Sequence, residues 1–152
     1  MEGPFITVVS GGQTGVDRAA LDVALELGLP CGGWCPRGRR AEDGPLDARY
    51  PLQETPWDGY PQRTEWNVRD SDGTLILTRG KPDRGTALTI ELAERYRKPF
   101  HVVDLTGEAN VGAVHAWVLT QQMRVLNVAG PRESSCPGIY EQAVQFLRKL
   151  FT

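Results

Sequence analysis

Short apolar runs that end at glycine, each followed by a helical pattern, are the feature that most constrains the fold of this chain. The first run covers residues 5–10, enters Gly11-Gly12, and is followed by apolar residues at helical spacing over residues 16–27. The alternation continues with predicted strands at 31–35, 50–54, 73–78, 100–105 and 125–129, and predicted helices at 64–70, 86–97, 110–122 and 138–151. Strands that alternate with helices form a parallel sheet covered on both faces. The sequence therefore predicts an α/β protein.

The length of 152 residues suits one domain. Six strands joined by right-handed crossovers predict a doubly wound, Rossmann-like, mostly parallel sheet with strand order 3-2-1-4-5-6. The segment at 50–54 lies among prolines, which favours an edge strand. If it is not a strand, the flavodoxin-like order 2-1-3-4-5 is the alternative. We expect residues 1–152 to form a single Rossmann-like ligand-binding domain.

Charge and hydropathy exclude several classes of partner. There are 17 Lys and Arg residues against 19 Asp and Glu, so the net charge is −2 and no overall positive field attracts a nucleic acid. No apolar run is long enough to span a membrane, and the pattern of a secretory signal peptide is absent. The three cysteines are too few for a disulfide framework and suit a reducing compartment. We expect a cytoplasmic protein that binds neither nucleic acid nor membrane.

The loops that follow strands are the candidate site, because ligands of open parallel sheets bind beyond the carboxyl ends of the strands. In the first loop, glycines permit close approach of the backbone, and the free N–H groups at the following helix start favour an anion. The residues of this loop that we assign to ligand binding are Gly11, Gly12, Gln13, Thr14, Gly15, Asp17 and Arg18. Thr14 and Asp17 also fit a capping box, so helix architecture is the alternative explanation for part of the motif.

Three further loops after strands carry similar residues. The ones assigned to ligand binding are Arg37, Arg39 and Glu42 in residues 32–44, Gly85 and Thr86 at the end of residues 79–86, and Gly130, Arg132 and Ser134 in residues 130–138. Arginine is well suited to hold an oxyanion through two parallel hydrogen bonds. For residues 32–44 the alternative is a solvated basic loop neutralised by its own carboxylates. Four such loops at one sheet edge predict a polyanionic ligand.

Metal and nucleophile motifs are poorly represented. Cys31 and Cys35, with the histidines His101 and His115, lack the paired spacing of a structural zinc site. No G-x-S-x-G sequence is present, which argues against an α/β-hydrolase nucleophile. We therefore predict no metal ligand.

The loop motifs resemble those of a known family. The blocks that carry the resemblance are residues 10–22, 33–39 and 41–44, together with Asn67, residues 71–74, Gly85-Thr86 and residues 130–134. They are similar to the molybdenum cofactor carrier proteins, in the YpsA-like and SLOG group of Rossmann-type domains. The resemblance implies that the chain binds molybdenum cofactor, a phosphorylated pterin carrying molybdenum, as cargo. It also implies a homo-oligomer and a molybdoenzyme that receives the cargo.

A related branch, the Lonely Guy phosphoribohydrolases, has the signature P-G-G-x-G-T-x-x-E. Here Thr89 stands in the place of that glutamate. The difference favours carriage or sensing over catalysis, so the comparison with this branch predicts no catalytic residue. Two alternatives stay open: a nucleotide-handling enzyme that hydrolyses N-glycosidic bonds, with Asp17 or Glu42 acting on the sugar, and a nucleotide-sensing module.

Overall fold

The computed structural model describes residues 6–152, so Phe5, at the start of the first predicted strand, lies outside the described residues. The strands are β1 (Thr7–Val9), β2 (Cys31–Gly32), β3 (Trp34–Cys35), β4 (Gln53–Glu54), β5 (Gly73–Thr78), β6 (Phe100–Asp104) and β7 (Val125–Ala129). The helices are α1 (Val16–Glu26), α2 (Tyr60–Arg69), α3 (Arg84–Arg95), α4 (Val111–Thr120) and α5 (Ile139–Phe151). The predicted α/β, Rossmann-like class is confirmed.

The main sheet is fully parallel and has the order β2-β1-β7-β5-β6. Both predicted orders are wrong, because β7 lies between β1 and β5, with Leu126 opposite Val8 on one side and Gly73 on the other. When only the five strands of this sheet are numbered in chain order, the observed order is 2-1-5-3-4. If β7 came first in the chain, the same numbering would give 3-2-1-4-5, which is the order of a doubly wound sheet. Hydrophobic periodicity identifies strands but not which strands pair, so the sequence pattern did not reveal this rearrangement.

The predicted strand at 31–35 is divided at Gly33, which has φ +123°. Residues before it form β2 in the main sheet, whereas β3 pairs with β4 in a separate two-stranded parallel sheet. A Cβ atom at position 33 would lie 2.5 Å from the carbonyl oxygen of Ser10, so glycine is required there. The strand predicted at 50–54 therefore exists as β4, but it lies outside the main sheet.

Helices cover both faces of the main sheet. All six residues of β5 are buried, although successive side chains of a strand point to opposite faces. Leu75 and Leu77 belong to a large core cluster shared with α1, α4 and α5, and a second cluster is formed by Val68, Leu92 and Ala93 of α2 and α3. These two cores fix the strand ends from which the candidate site is built.

Helix α2 begins four residues before its predicted start at 64. Gly59 is its extended N-cap residue, and Pro61 lies in its first turn, a position that suits proline because no intrahelical donor is lost. The extra turn places Tyr60 and Arg63 at the edge of the sheet where the candidate site lies.

Arg39 organises the long loop between β3 and β4. It has φ +55°, and its guanidinium group donates at 2.8–3.3 Å to the carbonyl oxygens of Leu46, Asp47, Tyr50 and Leu52. These donors are turned into the protein, which corrects the prediction of a ligand-binding role for Arg39. The loop is built around this side chain.

Replacing Arg39 with alanine should lower the free energy of unfolding by about 2–3 kcal/mol, because the carbonyl groups lose charged donors. Arg37, in the same loop, is exposed and makes no side-chain hydrogen bond within residues 6–152. Arg37→Ala is therefore the matched control, with an expected change within about 0.5 kcal/mol. Urea denaturation measures both, and equal effects would contradict the structural role of Arg39.

Candidate functional site

The carboxyl ends of the three central strands β1, β7 and β5 surround a cavity of about 320 Å³. Its walls come from the loop after β1 (Gln13, Asp17), the start of α2 (Tyr60, Arg63, Thr64), the start of α3 with its N-cap residue (Asp83, Gly85, Thr86) and the loop after β7 (Gly130, Arg132). The strand order reverses at this point, which is where doubly wound sheets bind ligands. The volume lies in the range of small-molecule sites.

Two unpartnered polar atoms distinguish this cavity. Among residues 6–152, the buried side-chain polar atoms without a hydrogen-bond partner are Nε of Arg63 and Oγ1 of Thr86, and both residues line the cavity. Thr86 is only 3% exposed. Because buried polar groups in folded proteins are nearly always paired, two unpaired ones in residues that line the same cavity indicate a polar ligand. A more open groove of about 700 Å³ beside α5 contains neither atom.

The glycines of the first loop make room for protein atoms. A Cβ at Gly11 would lie 2.3 Å from Nη1 of Arg63, and one at Gly15 would lie 2.3 Å from the carbonyl oxygen of Pro131. Both glycines therefore let neighbouring elements close around the cavity. Gly85 differs, because an added Cβ would meet no protein atom nearer than 3.8 Å and the start of α3 stays open.

Gly12 has a structural function in the same loop. Its φ is +78°, and a Cβ would lie 2.7 Å from Cδ1 of Leu52 and 2.8 Å from Cδ1 of Leu46. The glycine thus allows the long loop that Arg39 organises to pack on the first loop.

Asp17 is a buried carboxyl group in the first turn of α1, 4% exposed. Its Oδ2 accepts hydrogen bonds from the backbone N–H of Gln13 and from Nη1 of Arg63, both at 3.3 Å. Burial raises the pKa of Asp17 to about 6, even though the Arg63 guanidinium opposes this shift. A carboxyl group that titrates near neutrality in a cavity is a candidate proton donor or acceptor.

The capping-box explanation of Thr14 and Asp17 is wrong. Helix α1 has Gly15 as its N-cap residue, with φ +82° and no side-chain cap. Thr14 Oγ1 instead accepts a hydrogen bond from the backbone N–H of Glu133 at 3.1 Å. Thr14 therefore links the loops after β1 and β7.

Glu42 extends from the long loop and joins the same two loops. Its carboxylate accepts hydrogen bonds from the hydroxyl of Thr14, from the Ser134 hydroxyl at 2.5 Å and from the Ser134 N–H at 3.3 Å. Burial alone would raise the pKa of Glu42, but the hydrogen bonds from Ser134 and Thr14 hold it below its usual range. Glu42 is therefore ionised at neutral pH.

The predicted arginine clamp is reduced to one residue at the cavity. Arg18 donates to both carboxylate oxygens of Asp43 at 2.9 and 3.0 Å and to the Gly12 carbonyl oxygen at 3.1 Å. Arg37 is exposed on the loop. The side chain of Arg132 is 46% exposed and lines the cavity.

The structure thus brings part of the predicted site together. The predicted residues that line the cavity are Gln13, Asp17, Gly85, Thr86, Gly130 and Arg132. Those that do not line it are Gly11, Gly12, Thr14, Gly15, Arg18, Arg37, Arg39, Glu42 and Ser134. Sequence reasoning did not assign the other wall residues, which are Tyr60, Pro61, Arg63, Thr64, Asp83, Leu88, Thr89 and Ala129. Pro61 was the available signal for an earlier start of α2.

Two further findings concern residues 6–152. None of the helices in that range combines the length and the apolar character needed to cross a membrane. The range also contains no group of three or more His, Cys, Asp or Glu side chains placed to hold a metal ion.

The raised pKa of Asp17 predicts how stability depends on pH. The folded protein holds this proton more tightly than the unfolded chain does, so the resulting stability is present below about pH 4 and is lost as the pH rises through about 6. Relative to Asp17→Asn, which does not titrate, wild-type unfolding free energy should fall by about 3 kcal/mol over that range. Urea denaturation and carboxyl ¹³C titration measure both effects, and a titration midpoint near 4 would contradict the assignment.

Comparison with known proteins agrees with this architecture. A crystal structure described as a putative molybdenum carrier protein from Syntrophus aciditrophicus SB is 45% identical in sequence, with a TM-score of 0.94. The match covers 99% of this chain and 97% of that one. No functionally curated protein matches significantly.

The family match explains the strand order. The model of the circularly permutated YpsA SLOG family matches residues 8–151. A permuted chain accounts for the position of β7, because the order becomes 3-2-1-4-5 once β7 is placed first. The chain belongs to the circularly permutated YpsA SLOG family.

Proposed function

We propose that this protein binds a phosphorylated, molybdenum-containing pterin as cargo in the cavity at the ends of β1, β7 and β5. The observation that carries the proposal is the pair of unpartnered buried polar atoms, Arg63 Nε and Thr86 Oγ1, which belong to two residues that line the cavity. The description of the Syntrophus protein as a putative molybdenum carrier supports the choice of cargo.

The donors at the cavity suit the body of an anionic ligand. Arg63 offers a guanidinium N–H, Thr86 a hydroxyl, and Arg132 a further positive charge. Gly85 leaves space at the first turn of α3, where the helix dipole favours an anion, although the Asp83 carboxylate already accepts from the Thr86 N–H at 2.8 Å. An anion beside Asp17 would raise its pKa further, so the protonated carboxyl group would donate to the ligand.

We propose carriage without turnover. Thr89, at the position of the glutamate in the Lonely Guy signature, donates its hydroxyl to the Gly85 carbonyl oxygen at 3.1 Å within α3. A hydroxyl of ordinary pKa is not a general base near neutral pH. The cytoplasmic location stays a prediction from the composition, and the homo-oligomeric state and molybdoenzyme recipient stay predictions that follow from the resemblance.

Thr86→Val tests the cargo site. It should weaken binding of the phosphorylated pterin at least tenfold, because a hydrogen bond to a charged group contributes about 1.5–3 kcal/mol. The same variant should raise the stability of the unliganded protein, because it removes an unpartnered buried hydroxyl. Pterin retained through anaerobic gel filtration is measured by fluorescence after oxidation, and molybdenum by elemental mass spectrometry.

Thr55→Val is the matched control. It makes the same substitution at a threonine that is 1% exposed and does not line the cavity, and its hydroxyl already donates to the Trp57 carbonyl oxygen at 2.8 Å. It should leave pterin affinity unchanged and should not stabilise the protein. Equal affinity in wild type and Thr86→Val, with both variants folded, would contradict the proposed site.

The pKa of Asp17 favours one second candidate, a nucleotide hydrolase in which this carboxyl group acts on the N-glycosidic bond. We expect no free base when the protein is incubated with nucleoside monophosphates and the products are separated by chromatography. Multiple turnovers that disappear in Asp17→Asn would replace carriage with hydrolysis.

A further inference from the structure

The carboxylate of Glu42 is held by donors that do not belong to its own loop. Thr14 follows β1, whereas Ser134 follows β7 and contributes both its N–H and its hydroxyl. Nη1 of Arg132 lies 3.9 Å from Oε1 of Glu42. The two central strand-end loops thus converge on one anionic group that a third segment supplies.

The donors have fixed directions. Thr14 Oγ1 already accepts from the Glu133 N–H at 3.1 Å, so its single proton is directed at Glu42. The Ser134 N–H and hydroxyl both reach the same carboxylate. Two hydroxyls, one backbone N–H and one guanidinium are the groups that proteins use to bind phosphate.

We propose that Thr14, Ser134 and Arg132 form a phosphate subsite beside the cavity, and that the Glu42 carboxylate occupies this subsite until a phosphate group of the ligand displaces it. The inference rests on the proposed function and specifies where that phosphate is held. Arg132 lines the cavity and also faces the subsite, so a ligand body in the cavity and its phosphate would be contiguous.

Displacement of the carboxylate leaves the long loop attached. Gln13 Oε1 accepts from the backbone N–H of Glu42 at 2.8 Å and from that of Thr14 at 3.0 Å, independently of the carboxylate. Arg18 and Asp43 form a second link between the loop and α1. The Glu42 side chain, 21% exposed, is therefore free to rotate outward about its own torsions while its backbone stays in place.

A tethered carboxylate makes the subsite selective. Because Glu42 is part of the chain, its effective concentration at the subsite is high, on the order of millimolar or above. Free phosphate must displace the carboxylate with only the contacts that Thr14, Ser134 and Arg132 make to a phosphate group. A phosphorylated ligand with a body in the cavity gains further contacts, so the device rejects inorganic phosphate and admits the cargo.

The test uses inorganic phosphate as the probe and the Ser134 amide signal in ¹⁵N NMR titrations as the readout. Glu42→Ala should bind phosphate at least tenfold more tightly than wild type. Glu42→Ala combined with Ser134→Ala should lose that gain. A phosphate affinity of Glu42→Ala no tighter than that of wild type, or a gain that survives loss of the Ser134 hydroxyl, would overturn the proposal.

Two variants keep the result interpretable. Glu54→Ala removes the same charge near the same loop, but Glu54 accepts from the Gly38 N–H at 2.6 Å and contacts none of the subsite donors, so no gain is expected. Glu42→Gln retains hydrogen-bonding groups and carries the test if the alanine variant does not fold. It should show a smaller gain, and no gain would overturn the proposal.

The proposed function and the subsite can fail separately. Loss of pterin binding in Thr86→Val without a phosphate gain in Glu42→Ala would refute the subsite alone. A phosphate gain in Glu42→Ala with unchanged pterin binding in Thr86→Val would place the phosphate as inferred and refute the assigned cargo site.

Discussion

The pairing of β7 between β1 and β5 is the constraint on which the candidate site depends. Leu126 of β7 lies opposite Val8 of β1 on one side and opposite Gly73 of β5 on the other, so the three strands end side by side. Their loops can then share one cavity, although Asp17 and Arg132 are far apart in sequence. Gly15 and Gly130 permit the close packing, because a Cβ at either position would lie 2.3 Å from a backbone carbonyl oxygen.

Two carboxyl groups near the site differ in protonation because their surroundings differ. Asp17 is enclosed, and burial outweighs the nearby Arg63, so its pKa rises to about 6. Glu42 sits at the surface and receives hydrogen bonds from Ser134 and Thr14, so its pKa falls below the usual range. One group is therefore able to carry a proton next to an anionic ligand, whereas the other acts as an anion itself.

The sequence predicted the element types well, because strands such as β5 and helices such as α5 have clear hydrophobic periodicity. Strand order was not predictable from that pattern, since pairing depends on contacts between distant segments. The strand-end rule found Asp17, Thr86 and Arg132, but it could not find Arg63, which lies on a helix that does not follow a strand of the main sheet.

The arginine-rich loop shows a second limit of sequence reasoning. Arg37 and Arg39 are two residues apart, yet one is exposed and the other donates to four backbone carbonyl groups. Residue type predicted oxyanion binding for both, whereas the loop conformation decides which guanidinium group is available. The same holds for Arg18, whose donors are taken by Asp43 and the Gly12 carbonyl.

The central claim is that the cavity at the ends of β1, β7 and β5 holds a phosphorylated pterin through its unpartnered wall atoms. A crystal structure of the protein loaded with that pterin tests it most directly. The account predicts polar ligand atoms within about 3.2 Å of Thr86 Oγ1 and Arg63 Nε. Ligand density elsewhere, with both atoms still unpartnered, would contradict it.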